Sequence, residues 1–143
     1  MLRPILLTTF SILLAGSLSA QACATLTVTG TGAPGTSVVL TIDGSAAGAF
    51  AALAIGDTAG TTTIPLGSLG SLTLGLAQPF IALPMGMTNA NGDVSRTIQV
   101  PNGTSGIDLF GQGVTMVFTP PTGPGLPTIT FCTTNVVPFH LGS

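Results

Sequence analysis

Short apolar or alternating runs recur along this chain, separated by Gly, Pro and Asn, and no window carries a long helical period. That rhythm constrains the fold more than any single motif. Strict alternation puts every second side chain on one face of a strand, and frequent turn residues leave no room for long helices. Ala24–Thr29 alternates cleanly, as does Ser37–Asp43, with Val38, Leu40 and Ile42 on one side. Phe50–Ile55 is a third run, a short one lies near Thr62–Pro65, and Ser71–Leu76 turns Leu72, Leu74 and Leu76 inward. Phe80–Met85 is apolar on both sides and reads as a central strand, followed by Val94–Val100. Ile107–Phe110 and Val114–Phe118 read as one strand bent at Gly111 or Gly113, and Thr128–Cys132 and Val136–Leu141 finish the chain.

The connections carry turn chemistry. In Gly30-Thr31-Gly32-Ala33-Pro34-Gly35 the proline presets one φ and glycine permits a positive one. Asn89-Ala90-Asn91-Gly92-Asp93 contains Asn-Gly, a strong hairpin signal between two apolar runs. Pro120-Pro121-Thr122-Gly123-Pro124-Gly125 lacks the donors a ladder needs and must be a loop. The expected fold is all-β: one antiparallel two-sheet β-sandwich, Ig-like or jelly-roll-like, over residues 23–143.

Residues 1–22 read differently. Arg3 supplies a positive start, Ile5 to Ala15 is an apolar run, and Gly16 to Ala22 is small and mildly polar. This is the pattern of a secretory signal peptide. Ala20-Gln21-Ala22 places cleavage after Ala22, with cleavage after Ala20 as the competitor. The apolar run is about eleven residues and a membrane span needs roughly 20, so a stable transmembrane segment is not expected after cleavage. Lipidation of Cys23 would call for Leu three positions earlier, where Ala20 stands. The expected location is secreted, periplasmic or cell-surface.

Cys23 and Cys132 are the only cysteines, and in an exported chain two cysteines usually pair. Strand parity supports the pairing: each cysteine follows the threonines of its own run, so both sulfurs are expected off the core face. The bridge would close a loop of about 108 residues, worth roughly 4–5 kcal/mol on the chain-entropy model.

Charge narrows the function classes. Charged residues are 4% of the chain, with no Lys and no Glu; an ordinary domain has about a quarter. Beyond residue 22 stand Asp43, Asp57, Asp93, Asp108, Arg96 and the single His140. So few acids and bases argue against common hydrolytic chemistry, and so little positive charge argues against nucleic-acid binding. Arg96 shares the parity of Val94, Ile98 and Val100, so its guanidinium is expected to pair with Asp93 or another Asp. His140 has the opposite parity to Phe139 and Leu141 and is expected in solvent. Asn89, Asn91 and Asp93 alternate like the start of a calcium loop, but Gly92 is fourth rather than sixth and no Glu exists for the last ligand. No metal or cofactor is expected. The six phenylalanines beyond residue 22 are expected in the core, and the absence of Trp and Tyr counts against sugar stacking.

Several short motifs occur in order: Gly32-Ala33-Pro34-Gly35, Ala46 to Gly56, Ile64-Pro65-Leu66, Thr88 to Gly92, Ile98-Gln99-Val100-Pro101, Gln112 and Thr134-Asn135. Together they cover most of residues 24–142. This order resembles an uncharacterised Gly-rich β-sandwich module of exported bacterial proteins, often C-terminal in multidomain chains. The resemblance implies no catalytic residues. The expected function is a non-catalytic structural or interaction module of the cell envelope or extracellular space, with self-association or an envelope protein as partner. A carbohydrate-binding module is the alternative, and a small secreted hydrolase comes after it.

Overall fold

A computed structural model describes residues 23–143; the expected signal segment, residues 1–22, lies outside the described residues. The strands are β1 (Thr25–Thr29), β2 (Ser37–Asp43), β3 (Phe50–Gly56), β4 (Ala59–Pro65), β5 (Ser71–Leu76), β6 (Phe80–Met87), β7 (Val94–Gln99), β8 (Ile107–Thr119) and β9 (Thr128–Leu141), with one short 3-10 turn at Gly67–Leu69. The described residues are all-β, and the strand pairs are antiparallel. They form a three-stranded sheet ordered β1-β2-β7, a four-stranded sheet ordered β6-β3-β8-β9, and the hairpin β4-β5.

The alternation read from single strands holds. Val38, Leu40 and Ile42 are buried, and so are Leu26 on β1 and Ala51 and Leu53 on β3. These residues form one cluster that joins the three-stranded sheet to the inner face of the four-stranded sheet, with Leu83, Met85, Ile98, Val137 and Phe139 packed around it. Each fully buried Leu or Ile contributes about 1.5–3 kcal/mol through the surface it removes from water. The sheets approach closely where β8 carries Gly113: a Cβ there would lie 2.6 Å from Ile42 Cδ1.

Two expected sheets do not account for the whole molecule. The hairpin β4-β5 lies on the opposite, outer face of the four-stranded sheet. Its Leu74 and Leu76, buried, pack with Ala54, and Ile64, Leu72, Phe80, Phe110, Val114 and Val136 complete this second cluster. Beneath the hairpin the outer face of β3 carries small residues, Ala52, Ala54 and Gly56, with Phe50 at the far end of the strand. Small side chains let two leucines sit close to the sheet. Gln112 on β8 ties the layers: its Oε1 accepts from Gly75 N–H at 2.8 Å and its Nε2 donates to the Thr134 carbonyl at 2.9 Å.

Several expectations are corrected. β6 is an edge strand; β3 and β8 are central. The doubly apolar run at Phe80–Met85 reflects no second neighbour, and Ile81 is 65% exposed. The Asn-Gly segment does not make a hairpin, because β6 pairs with β3 and β7 pairs with β2. It is an arch between sheets. Gly92 there has φ +82°, and a Cβ on it would collide with the Ser45 carbonyl oxygen, so the arch needs glycine. Strand β9 runs unbroken through Thr133-Thr134-Asn135, but its register against β8 shifts at Gln112/Val114. Phe139 packs at the margin of the inner cluster and Phe80 and Phe110 against the outer cluster, as expected of them, but no phenylalanine among the described residues is fully buried, and Phe50 and Phe118 are 48% and 59% exposed. The buried hydrophobic residues are Leu, Ile, Val and Ala.

Candidate interaction surface

The titratable groups are dispersed over the molecule. His140 and Asp108 are cross-strand partners on β9 and β8, with Nδ1 2.7 Å from Oδ1. His140 is half exposed and Asp108 is 87% exposed. The pair borders an open hollow of about 470 Å³ lined also by Leu109, Phe110, Pro138 and Phe139. An acid-oriented imidazole is one part of a nucleophile-activating set, but such a set needs a hydroxyl or thiol within hydrogen-bond reach of the other ring nitrogen. Among the described residues no such group is bonded to Nε2; Gly106 packs beside it. Among the described residues no group of three or more His, Cys, Asp or Glu is placed to hold a metal ion.

Arg96 departs from expectation. Its guanidinium donates to the Pro84 carbonyl on β6, not to an aspartate. β7 and β6 are edge strands of different sheets, so this contact closes one open side between them. Arg96 is exposed. Its parity matches the apolar residues because the side chain spans the rim rather than entering the core. Asp93 instead accepts from Gly44 N–H at 3.2 Å. Asn89 Oδ1 is occupied by the N–H groups of Asn91 and Asp93 at 2.9 and 3.0 Å, so it folds the arch on itself.

Cys23 and Cys132 form a disulfide, with Cα atoms 5.7 Å apart. It fastens the start of β1 to β9, next to a parallel bridge between Ala24 and Thr134. Cys23 is exposed, as its parity requires. Cys132 instead packs against the inner core. The register shift on β9 causes the difference: beyond it the inward positions change from odd to even, so Cys132 pairs with buried Thr115.

The same shift sends Phe131 and Ile129 to the outer face. There Met87, Phe50, Met116 and Phe131 form one transverse row across β6, β3, β8 and β9, linked pair by pair in register. Phe118 and Ile129 form a second, shorter row. Met87 is 65% exposed, and Phe50 and Phe118 are about half so. The hairpin β4-β5 covers the other half of this face, toward Ala54, Phe110 and Val136. No described strand lies over the methionine–phenylalanine half. A contiguous exposed apolar area of this kind marks an interaction surface more often than scattered apolar residues do.

Local sequence gives little sign of this surface. Met116 and Phe118 share a parity within β8, but their alignment with Phe50, Met87 and Phe131 depends on the pairing of four strands. No family model matches the chain, and neither a curated protein nor a solved structure matches it.

Proposed function

We propose that this chain is an exported β-sandwich module, non-catalytic, that works by docking through the uncovered half of its four-stranded sheet. The observation that carries the reading is the transverse row Met87–Phe50–Met116–Phe131 with Phe118 beside it, all apolar, with Met87, Phe50 and Phe118 exposed and Met116 and Phe131 partly so. A row of this kind, drawn from four strands, is unfavourable in water unless something covers it for part of the protein's life. The dispersal of the few acids and bases supports a binding role over an acid–base one. Export is supported by the leader pattern of residues 1–22 and by a disulfide, which persists in oxidising compartments. The place of action proposed is the cell envelope or the extracellular space, in keeping with the resemblance to modules of exported bacterial proteins.

Expression with the native leader, followed by mass spectrometry and fractionation, tests export. The expected product starts at Gln21 or Cys23 and leaves the cytoplasm; a cytoplasmic pool retaining Met1 overturns it. Docking is tested by binding of the processed chain to envelope fractions and to a glycan array, comparing wild type with Phe118→Lys. Binding lost in the variant supports the surface. Binding that is indifferent to Phe118→Lys moves the function elsewhere on the molecule.

A further inference from the structure

We infer that the occupant of the uncovered half-face is a second copy of this chain, related by a two-fold axis and packed patch against patch. The inference rests on the docking reading above and names its partner.

The first argument is shape. The hairpin β4-β5 stands as an added layer on one half of the outer face, and the other half has no described layer. Stacked β-layers lie about 10 Å apart, so the outer surface is a step whose edge runs across the strands. Two such steps fit each other. Turned by a two-fold, the bare half of one sheet lies on the bare half of the other. Each hairpin then abuts the end of the partner's sheet, near the β8–β9 loop, where Leu126 is 90% exposed. The bare half thus receives from the partner the same kind of cover that the hairpin gives the other half within one chain.

The second argument is charge. β3 and β6 contain no charged residue, and on β8 and β9 only Asp108 and His140 are ionisable, both at the end far from the patch. Two identical faces therefore meet without repulsion and without stripping water from any ion. A partner with an ordinarily charged surface would lose hydration against a face that offers nothing to pair with it. An anionic membrane would call for Lys or Arg, and the patch has neither.

The third argument sets the strength. A stable interface buries about 800 Å² on each side. Six side chains, several of them half covered already, fall short of that unless the hairpin ends add contact. The association is therefore weak and reversible, since a small interface leaves little surplus over the entropy lost on binding.

Sedimentation velocity on the processed, oxidised chain decides, over about 1 to 200 µM. The expected result is a monomer–dimer equilibrium, weakened at least about tenfold by Phe118→Lys and equally by Met87→Lys. Both positions are exposed, so the folds should survive, which far-UV circular dichroism checks. Ile81→Lys, at an equally exposed position on the same sheet but away from the patch, should leave the equilibrium unchanged. A monomer throughout overturns the second-copy inference, as does dissociation by Ile81→Lys equal to that by Phe118→Lys. If a monomeric wild type still binds envelope fractions, or phosphatidylcholine–phosphatidylglycerol vesicles, in a Phe118→Lys-sensitive way, the docking surface stands with a different occupant. A monomer without any such binding removes both readings.

Discussion

Asn135 holds Leu26 by both of its backbone polar groups. Its Oδ1 accepts from Leu26 N–H at 2.8 Å, and its Nδ2 donates to the Leu26 carbonyl at 3.4 Å. A side-chain amide thus stands where the peptide group of a neighbouring strand would stand. It satisfies β1 along an edge that would otherwise offer free donors and acceptors. The Cys23 N–H to Thr133 carbonyl bond at 3.1 Å and the disulfide continue the same seam. One side of the molecule is therefore stitched by Asn135 and the cysteines, the other by Arg96.

Asn135→Ala should cost about 1–3 kcal/mol, because it leaves the Leu26 groups without their partner while removing little apolar surface. Asn135→Asp keeps the acceptor and loses the donor, so its cost should be smaller. Urea unfolding of the three proteins measures the order. Equal stability of wild type and Asn135→Ala would show that water replaces the amide without loss.

Gln112 should be the residue that holds the hairpin layer down. It is buried, and it serves Gly75 and Thr134 at once. Gln112→Leu should cost about 2–4 kcal/mol, since two backbone groups lose their partner in a closed site. The distinctive readout is hydrogen exchange: amides of β4 and β5 should lose protection more than those of β1 and β2. Uniform loss across both sheets would mean that the hairpin is not a separately anchored layer.

Two glycines separate backbone cost from collision. Gly92 and Gly103 have nearly the same φ, +82° and +80°, yet a Cβ on Gly103 meets nothing within 4 Å and one on Gly92 would overlap the Ser45 carbonyl. Gly103→Ala should therefore cost about 1–2 kcal/mol for its left-handed backbone alone. Gly92→Ala adds a clash against rigid backbone and should cost well over about 3 kcal/mol or prevent folding. Thermal unfolding and soluble yield distinguish them. Similar losses at both sites would count against the close contact between the arch and the β2–β3 loop.

Removal of the disulfide should lower stability by roughly 4–5 kcal/mol, since the bridge spans 109 positions of sequence. Cys23→Ser with Cys132→Ser tests the crosslink without leaving a stray thiol. Cys132→Ser alone should be worse than Cys23→Ser alone, because Cys132 packs against the core and Cys23 is exposed. Urea midpoints give the ranking, and non-reducing peptide mapping of the native protein should recover the linked pair.

Local alternation was legible because it depends only on neighbouring residues. Val38, Leu40 and Ile42, and Leu72, Leu74 and Leu76, each declare one face of their strand whatever that strand pairs with. The cysteine pairing was legible too, since only two cysteines exist. Its parity argument held for Cys23 and failed for Cys132. Two residues of β9 oppose Gly113 alone, and nothing in Thr133-Thr134-Asn135 marks that shift. Arg96 was placed with the right parity but the wrong partner, because its neighbour across the rim belongs to another sheet.

The amino-acid sequence by itself determined that the chain is all-β, which side chains each strand turns inward, and that two cysteines stand ready to join its ends. Only the tertiary structure decided which strands are central, that Asn91-Gly92 spans two sheets, and that the hairpin β4-β5 covers half of a face. It also decided that Met87, Phe50, Met116 and Phe131 align on the other half. Side-chain direction along a strand follows from the period of the backbone, which any short window contains. Strand neighbours, register and layer coverage are set by contacts between segments far apart in the chain, and the apolar character of Phe80–Met85 or the turn chemistry of Asn-Gly is compatible with more than one of them.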